Sequence, residues 1–387
     1  MALNKDRYTA ISNKLSEIYG LCSSVIPDKN NLSFLDGSPS MLLFCLQYEN
    51  AYSINNGHSA RLFDKLFQDL SNANNYPFSF CDGVLGLNWM LSYVNKKNYA
   101  RFDYSAITNL CFTYLDNYFE ELLDQKNVDY LHGAGGFILS IEKLDPKYIA
   151  KYLNAFEKTG GYLLIEDVYK NKDESGDVFY NLGLSHGYPS YMGLLSTASQ
   201  ENSYLEEVSR LKKMLDTGKL NNKMGLFPDR LSFDKESFPS RLGWCYGDMG
   251  VACAIAKAAS TYNNKIWEAE SIEIMLHASK RRDLIENGIV DACFCHGTSG
   301  VAHIFNRFYK KTKIEELNEA RWYWFDQTLK MDKFPDAPAG YKAWEAESGW
   351  LDEYGIIEGV AGIGLSLLGF LTEDIEIMDW DKCLLIS

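Results

Sequence analysis

Cys245 to Ala256 reads CYGDMGVACAIA, and Cys295 to Phe305 reads CHGTSGVAHIF. In both, one glycine is followed three residues later by a second, and then by a run that is apolar nearly all round. Such a run is a helix enclosed by other helices, entered through a connection where side chains are not tolerated. The phrase recurs as LDGSPSMLL at Gly37, CDGVLGLNWML at Gly83, LHGAGGFILS at Gly133, SHGYPSYMGLL at Gly187 and IEGVAGIGLSL at Gly359. The intervals between first glycines are 46, 50, 54, 60, 50 and 62 residues, the spacing of an internal structural repeat. Five copies carry a second glycine, at Gly86, Gly136, Gly250, Gly300 and Gly362. The first and fourth substitute Ser40 and Ser190, each behind a proline, so the position demands smallness.

Between the phrases lie amphipathic stretches with charged faces: Ser59 to Ala73, Tyr104 to Leu123, Pro146 to Lys158, Asn202 to Leu215, Lys265 to Arg281 and Lys313 to Met331. These are outer helices. Each repeat is therefore a helical hairpin whose glycines precede the inner helix, and no segment of strand period competes. Open solenoids end in polar caps, whereas the last phrase here is as apolar as the middle ones. The prediction is an all-α fold, an α/α toroid of seven hairpins, forming one domain over residues 1–387 because no linker or break in composition divides it. Gly218 to Pro239 reads as a long excursion, expected to form a rim over one end.

At 387 residues, 46% hydrophobic and 23% charged, the chain has the composition of a folded globular protein. A net charge of −14 speaks against a surface that neutralises a phosphate backbone, so nucleic acid is not an expected partner. The longest apolar run, Gly359 to Leu371, is 13 residues, too short to span a bilayer. The N-terminus has no apolar signal region, and a cytoplasmic location is expected. Nine cysteines in that setting favour reduced thiols and metal ligands over a disulfide framework. Cys22, Cys45, Cys111, Cys253 and Cys383 have apolar neighbours and read as core.

In a ring of hairpins, the turns before the inner helices share one end, so residues just ahead of the glycines converge there. Cys245 lies two before Gly247, Cys295 two before Gly297, and His186 and His296 one before theirs; Asp129 lies four before Gly133. Cys245, Cys295 and His296 offer two thiolates and an imidazole, the donor set of a tetrahedral zinc site with one position open. Consecutive Cys295 and His296 can both face one ion from a turn, though not from mid-helix. Cys81 and His132 occupy matching slots and Cys293 lies two residues from Cys295, so a set including these, or packed cysteines alone, are the alternatives on residues alone. His58 and His277 fall in solvent-facing segments, His303 in an apolar helix, and Trp244 and Tyr246 read as packing around Cys245.

RLGWCYGDMG and CFCHGTSG, preceded by LSHGYPS, resemble the signature motifs of the LanC-like family, the lanthionine synthetase C or lanthipeptide cyclase proteins. The repeat carries the resemblance over nearly the whole chain. It implies an α/α toroid with a catalytic zinc (Zn2+) that adds cysteine thiols of a precursor peptide to dehydroalanine or dehydrobutyrine, making lanthionine or methyllanthionine rings. It implies Cys245, Cys295 and His296 as the zinc ligands and Arg241, His186 and Asp129 as the further catalytic positions. Pro189-Ser190 departs from the glycine pattern and puts the local backbone in question. A dehydrated precursor peptide and a separate dehydratase are the expected partners. Coupling of glutathione or another small thiol to dehydroamino acids, and a non-catalytic peptide-binding scaffold, are the alternatives. Glycoside hydrolysis leaves the sulfur ligands unexplained and lacks an evident carboxylate pair.

Overall fold

The computed structural model describes residues 5–24, 32–72, 76–158, 179–199, 202–232 and 236–387. Ala73, expected at the end of an outer helix, and 233–235 of the long excursion lie outside the described residues. Inner helices follow each glycine phrase: α2 (Ser38–Tyr52), α4 (Val84–Lys96), α6 (Gly135–Ser140), α8 (Tyr188–Ala198), α10 (Asp248–Thr261), α12 (Thr298–Thr312) and α14 (Val360–Leu368). Outer helices are α1 (Lys5–Ser24), α3 (His58–Asn72), α5 (Ser105–Asp124), α7 (Pro146–Lys158), α9 (Leu205–Thr217), α11 (Lys265–Ala278) and α13 (Glu315–Lys330). The two classes bury themselves as their sequences require. All nine residues of α14 are buried, whereas α9 buries Val208, Leu211, Lys212 and Leu215 along one stripe. The third inner helix is only 6 residues long, because the chain turns extended at Ile141 and restarts at Pro146, where proline suits a first helical turn.

The contacts group into two compact units. One contains Met1–Pro77, Cys81–Asp103 and Arg282–Trp380; the other contains Phe78–Phe80, Tyr104–Arg281 and Asp381–Ser387. Within the first, α1 packs on α14 and α2, and α14 packs on α2 and α12. The seventh phrase thus takes its outer companion from the N-terminal end, making the first and seventh repeats neighbours, which an open stack would not do. A two-stranded ribbon in this unit pairs β3 (Ala343–Glu345) with β4 (Gly349–Leu351). Within the second unit, α8 packs on α6, α9 and α10, and α10 on α11. A shorter ribbon there pairs β1 (Tyr180–Asn181) with β2 (Arg230–Leu231), closing part of the long excursion.

The glycine phrase is one turn built repeatedly. Counting the first glycine as position 0, the carbonyl at −6 accepts the N–H at +1: Pro77 from Val84 at 2.9 Å, Asn127 from Ala134 at 3.0 Å, Asp291 from Thr298 at 3.1 Å and Glu353 from Val360 at 3.2 Å. Main-chain carbonyls thereby satisfy an N–H that a side-chain cap would otherwise take, and the glycine-capped inner helices have no side-chain cap. Closing the turn this tightly leaves no room for a Cβ. At Gly187 it would lie 2.2 Å from the Asn181 carbonyl, at Gly300 1.8 Å from that of Phe294 and at Gly362 1.9 Å from that of Ile356. Gly247 also has φ 83°, which favours glycine on its own.

The two serine copies keep the turn. Ser40 Oγ donates to the Phe34 carbonyl and Ser190 Oγ to that of Gly187 at 2.7 Å. Gly187 has φ −121°, between −135° at Gly83 and −103° at Gly359 in copies with a second glycine, so Pro189-Ser190 leaves the backbone within their range.

Candidate functional site

Position −3 is filled by Phe34, Phe80, Tyr130, Leu184, Trp244, Phe294 and Ile356, all at most 1% exposed. Each turn is therefore plugged into the core by a large apolar side chain. That fixes where −2 and −1 go. Position −1 holds Asp36, Asp82, His132, His186, Tyr246, His296 and Glu358, polar in every repeat.

Four pairs of adjacent repeats are joined at their −2 positions by backbone hydrogen bonds, all in the same sense. In the first unit Leu35 N–H donates to the Cys81 carbonyl at 3.1 Å, Ile357 to Leu35 at 3.3 Å and Cys295 to Ile357 at 2.9 Å. In the second, Ser185 donates to Cys245 at 3.4 Å. Hydrogen-bonded backbones run about 4.8 Å apart, so this rail sets the −2 and −1 side chains of neighbouring repeats side by side.

Asp129 and His186, both in the second unit, are brought together. Asp129 is 4% exposed. Its Oδ1 accepts the N–H groups of Leu131 at 2.8 Å and His132 at 2.7 Å, and its Oδ2 lies 2.8 Å from His186 Nδ1. The carboxylate therefore braces the third turn and holds the ring at the end of the fourth. With a carboxylate on Nδ1, the Nδ1–H tautomer is the one that satisfies both groups. The His132 ring stacks near the same imidazole, centroids 6.0 Å apart.

Arg241 is exposed and lines a cavity of about 580 Å3 with Phe179, Asp229, Arg230 and Phe238. The excursion forming this cavity is tethered from below. Asp248 is fully buried; its Oδ1 accepts the N–H groups of Leu226 and Phe227 at 2.8 and 2.9 Å, and its Oδ2 faces Arg281 at 3.4 Å. Arg281 also donates to the Ser240 carbonyl at 2.8 Å, next to Arg241. Burial lowers the Arg281 pKa against the pull of Asp248. His277, expected to face solvent, instead stands 3.6 Å from Asp248 Oδ2, because the last turn of α11 rolls it toward that buried charge. His303 is fully buried between Phe294 and Trp380, as its apolar helix implied.

Cys245 is buried at the fifth turn, next to Trp244, whose Nε1 donates to the Leu384 carbonyl at 2.8 Å, and to the half-buried Tyr246. Cys295 and His296 are both partly exposed at the sixth turn. Asp291 governs that turn: Oδ1 accepts the Cys293 N–H at 2.9 Å and Oδ2 the Trp344 N–H at 2.8 Å. Ligand atoms of Asp291, Cys293 and His296 lie within 4.8 Å of one another, so this group too could hold a metal ion. Cys293 is 2% exposed, and burial and Asp291 push its thiol well up. Cys81, in the matching slot of the second repeat, has its sulfur 3.8 Å from Asp36 Oδ2.

Nearby, burial and then Glu358 and Asp36 push the Glu353 carboxyl up to about 6. Cys22, Cys45, Cys111, Cys253 and Cys383 are fully buried, and burial pushes the Cys22 and Cys111 thiols up to about 12.

The all-α turn-and-helix repeat is the fold of a solved structure, nisin cyclase. That match has a TM-score of 0.72 at 17% sequence identity and covers 99% of this chain and 98% of that one; the shared architecture is the α/α toroid. A sequence profile of the family described as lanthionine synthetase C-like protein matches residues 28–385. The chain belongs to that family. Cys245 in the second unit, and Cys295 and His296 in the first, are residue types that can ligate a metal, and no described helix is long and apolar enough to cross a membrane.

Proposed function

We propose that residues 1–387 act as one catalytic domain, a zinc-dependent lanthipeptide cyclase that closes thioether rings in a dehydrated peptide. The observation that carries this reading is the rail of −2 positions, which places consecutive slots side by side in the repeats where it is seen. The fifth and sixth slots hold Cys245, Cys295 and His296. Two sulfurs and one imidazole fit zinc better than calcium or magnesium, which take oxygen donors. Cys293, closed off in the core, fits less well than the partly exposed Cys295. When bound, zinc supplies a thiolate from a peptide cysteine whose free thiol, with pKa near 8.5, is mostly neutral at pH 7.

The other steps fall to this chain's own side chains. As the sulfur bonds to the β-carbon of a dehydro residue, the carbon–carbon π pair moves toward the neighbouring carbonyl, leaving negative charge on its oxygen. Arg241 supplies a cation for that charge. The α-carbon must then take a proton, and His186 Nε2–H delivers it while Asp129 holds Nδ1 and stabilises the imidazolium. One thiol proton leaves and one carbon-bound proton arrives, so substrate and product have the same mass.

The test is mass spectrometry with thiol alkylation after incubation with a dehydrated, cysteine-containing peptide. An unchanged mass with loss of alkylatable thiols is the expected result, abolished by Cys295→Ala. A mass increase by one added thiol when glutathione is present would instead indicate small-thiol coupling. An unchanged mass with every thiol retained would contradict both.

A further inference from the structure

The seventh repeat reaches its glycine phrase through the β3–β4 ribbon, KAWEAESGWL from Lys342 to Leu351. Trp344 and Trp350 are directly opposed across it, ring centroids 5.2 Å apart at 64°. They are 41% and 39% exposed, whereas Trp244, Trp324 and Trp380 are fully buried. Phe334 backs Trp350 at 4.9 Å. Two adjacent tryptophans left in water are an unfavourable surface unless something covers them.

The ribbon is firmly placed. Trp344 N–H is held by Asp291 Oδ2, whose partner oxygen holds Cys293 N–H, and a carboxylate oxygen of Asp291 lies within 4.8 Å of a His296 ring nitrogen. The aromatic pair is therefore fixed one carboxylate away from the turn carrying Cys295 and His296. Its surroundings are acidic: Glu345 and Glu347 are exposed on the ribbon and its turn, and Asp352, Glu353 and Glu358 follow. Lys342 pairs with Asp352 at 2.9 Å. Burial first, and then Glu358, Asp36, Glu345 and Asp352, raise the Glu353 carboxyl, so these carboxylates reinforce one another's negative field.

We propose that the β3–β4 ribbon is the docking surface for the substrate peptide, and that it takes a cationic segment, with a lysine or arginine side chain laid on Trp344 and Trp350. Aromatic faces attract such cations, and the surrounding carboxylates favour them over acidic or neutral sequences. The inference rests on the reading that the substrate is a peptide, and it names the part of that peptide held beside the reacting centre.

Fluorescence anisotropy tests it on the full chain, with a labelled peptide containing lysine and arginine but no cysteine, serine, threonine or dehydro residue. A twin peptide with each cation replaced by glutamate is the control. The cationic peptide should bind about tenfold or more tighter than its twin. Trp344→Ala/Trp350→Ala and Glu345→Gln/Glu347→Gln should each weaken it several-fold, and added salt should weaken it further. The tryptophan change removes exposed rings, and far-UV circular dichroism checks that the fold is kept. Equal binding of the two peptides, or unaltered binding by the tryptophan variant, would overturn the inference. Because this probe cannot be cyclised, failure of ring closure with normal docking would count against the cyclase reading alone.

Discussion

His186 presents one nitrogen because the other is held, 2.8 Å away, by a carboxylate that is itself fixed by two backbone N–H groups. His186→Asn should therefore keep its metal and lose ring formation by about 10²- to 10⁴-fold, read as initial cyclisation rate beside zinc content. Asp129→Asn retains an oxygen for the backbone donors and should cost rate with little stability. Asp129→Ala strands those donors and should also lower stability by about 1–3 kcal/mol. The sequence identified both residues by their place before the glycines, but not their contact: 57 residues separate them, and only packing of the third and fourth repeats makes them neighbours.

Glu353 gives a pH signature. Its carboxyl titrates near 6 in the folded chain against an ordinary 4.5, so between those values the folded state binds more protons than the unfolded. Stability should then fall as pH rises from about 4.5 to about 6 and stay lowered above that range. Glu353→Gln should raise Tm at pH 7 and flatten this part of the pH curve; a variant curve parallel to that of the unmodified protein would count against it.

At the scale of the element, the turn from −6 to +1 is what repeats, and its tolerance is set by backbone oxygens that cannot move aside. Gly300→Ala, whose Cβ would meet the Phe294 carbonyl at 1.8 Å, should destabilise by about 3 kcal/mol or prevent folding. Ser40→Ala, which loses one hydroxyl bond, should cost about 1 kcal/mol. Urea midpoints compare the two. Arg281→Met removes the cation facing the buried Asp248 and should destabilise by about 3–5 kcal/mol, while loosening Leu226, Phe227 and Ser240 in hydrogen exchange.

The glycine phrases and the apolar runs after them made the inner helices legible, and the charged faces of the stretches between them made the outer helices legible. Main-chain hydrogen bonds leave no trace in residue type. Neither the rail between −2 positions nor the tether from Asp248 to Leu226 and Phe227 could be read without coordinates. The shortness of α6 was hidden for a related reason, since GGFILS is as apolar as the start of any longer inner helix.

For the molecule as a whole, the family match over residues 28–385 and the fold shared with nisin cyclase follow from seven copies of one turn. The neighbouring first and seventh repeats within one unit follow from α1 packing on α14. Period and composition made the number of repeats legible; which helix completes the last hairpin was not, because α1 carries no glycine phrase to mark it. The proposed cyclase needs the slots ahead of the fifth and sixth glycines to hold one zinc. Elemental analysis of the purified full chain tests it most directly. About one zinc per chain is predicted, lost in Cys245→Ala and in Cys295→Ala and kept in Cys293→Ala. Zinc far below that level and unchanged by Cys245→Ala, or stripped by Cys293→Ala alone, would contradict it.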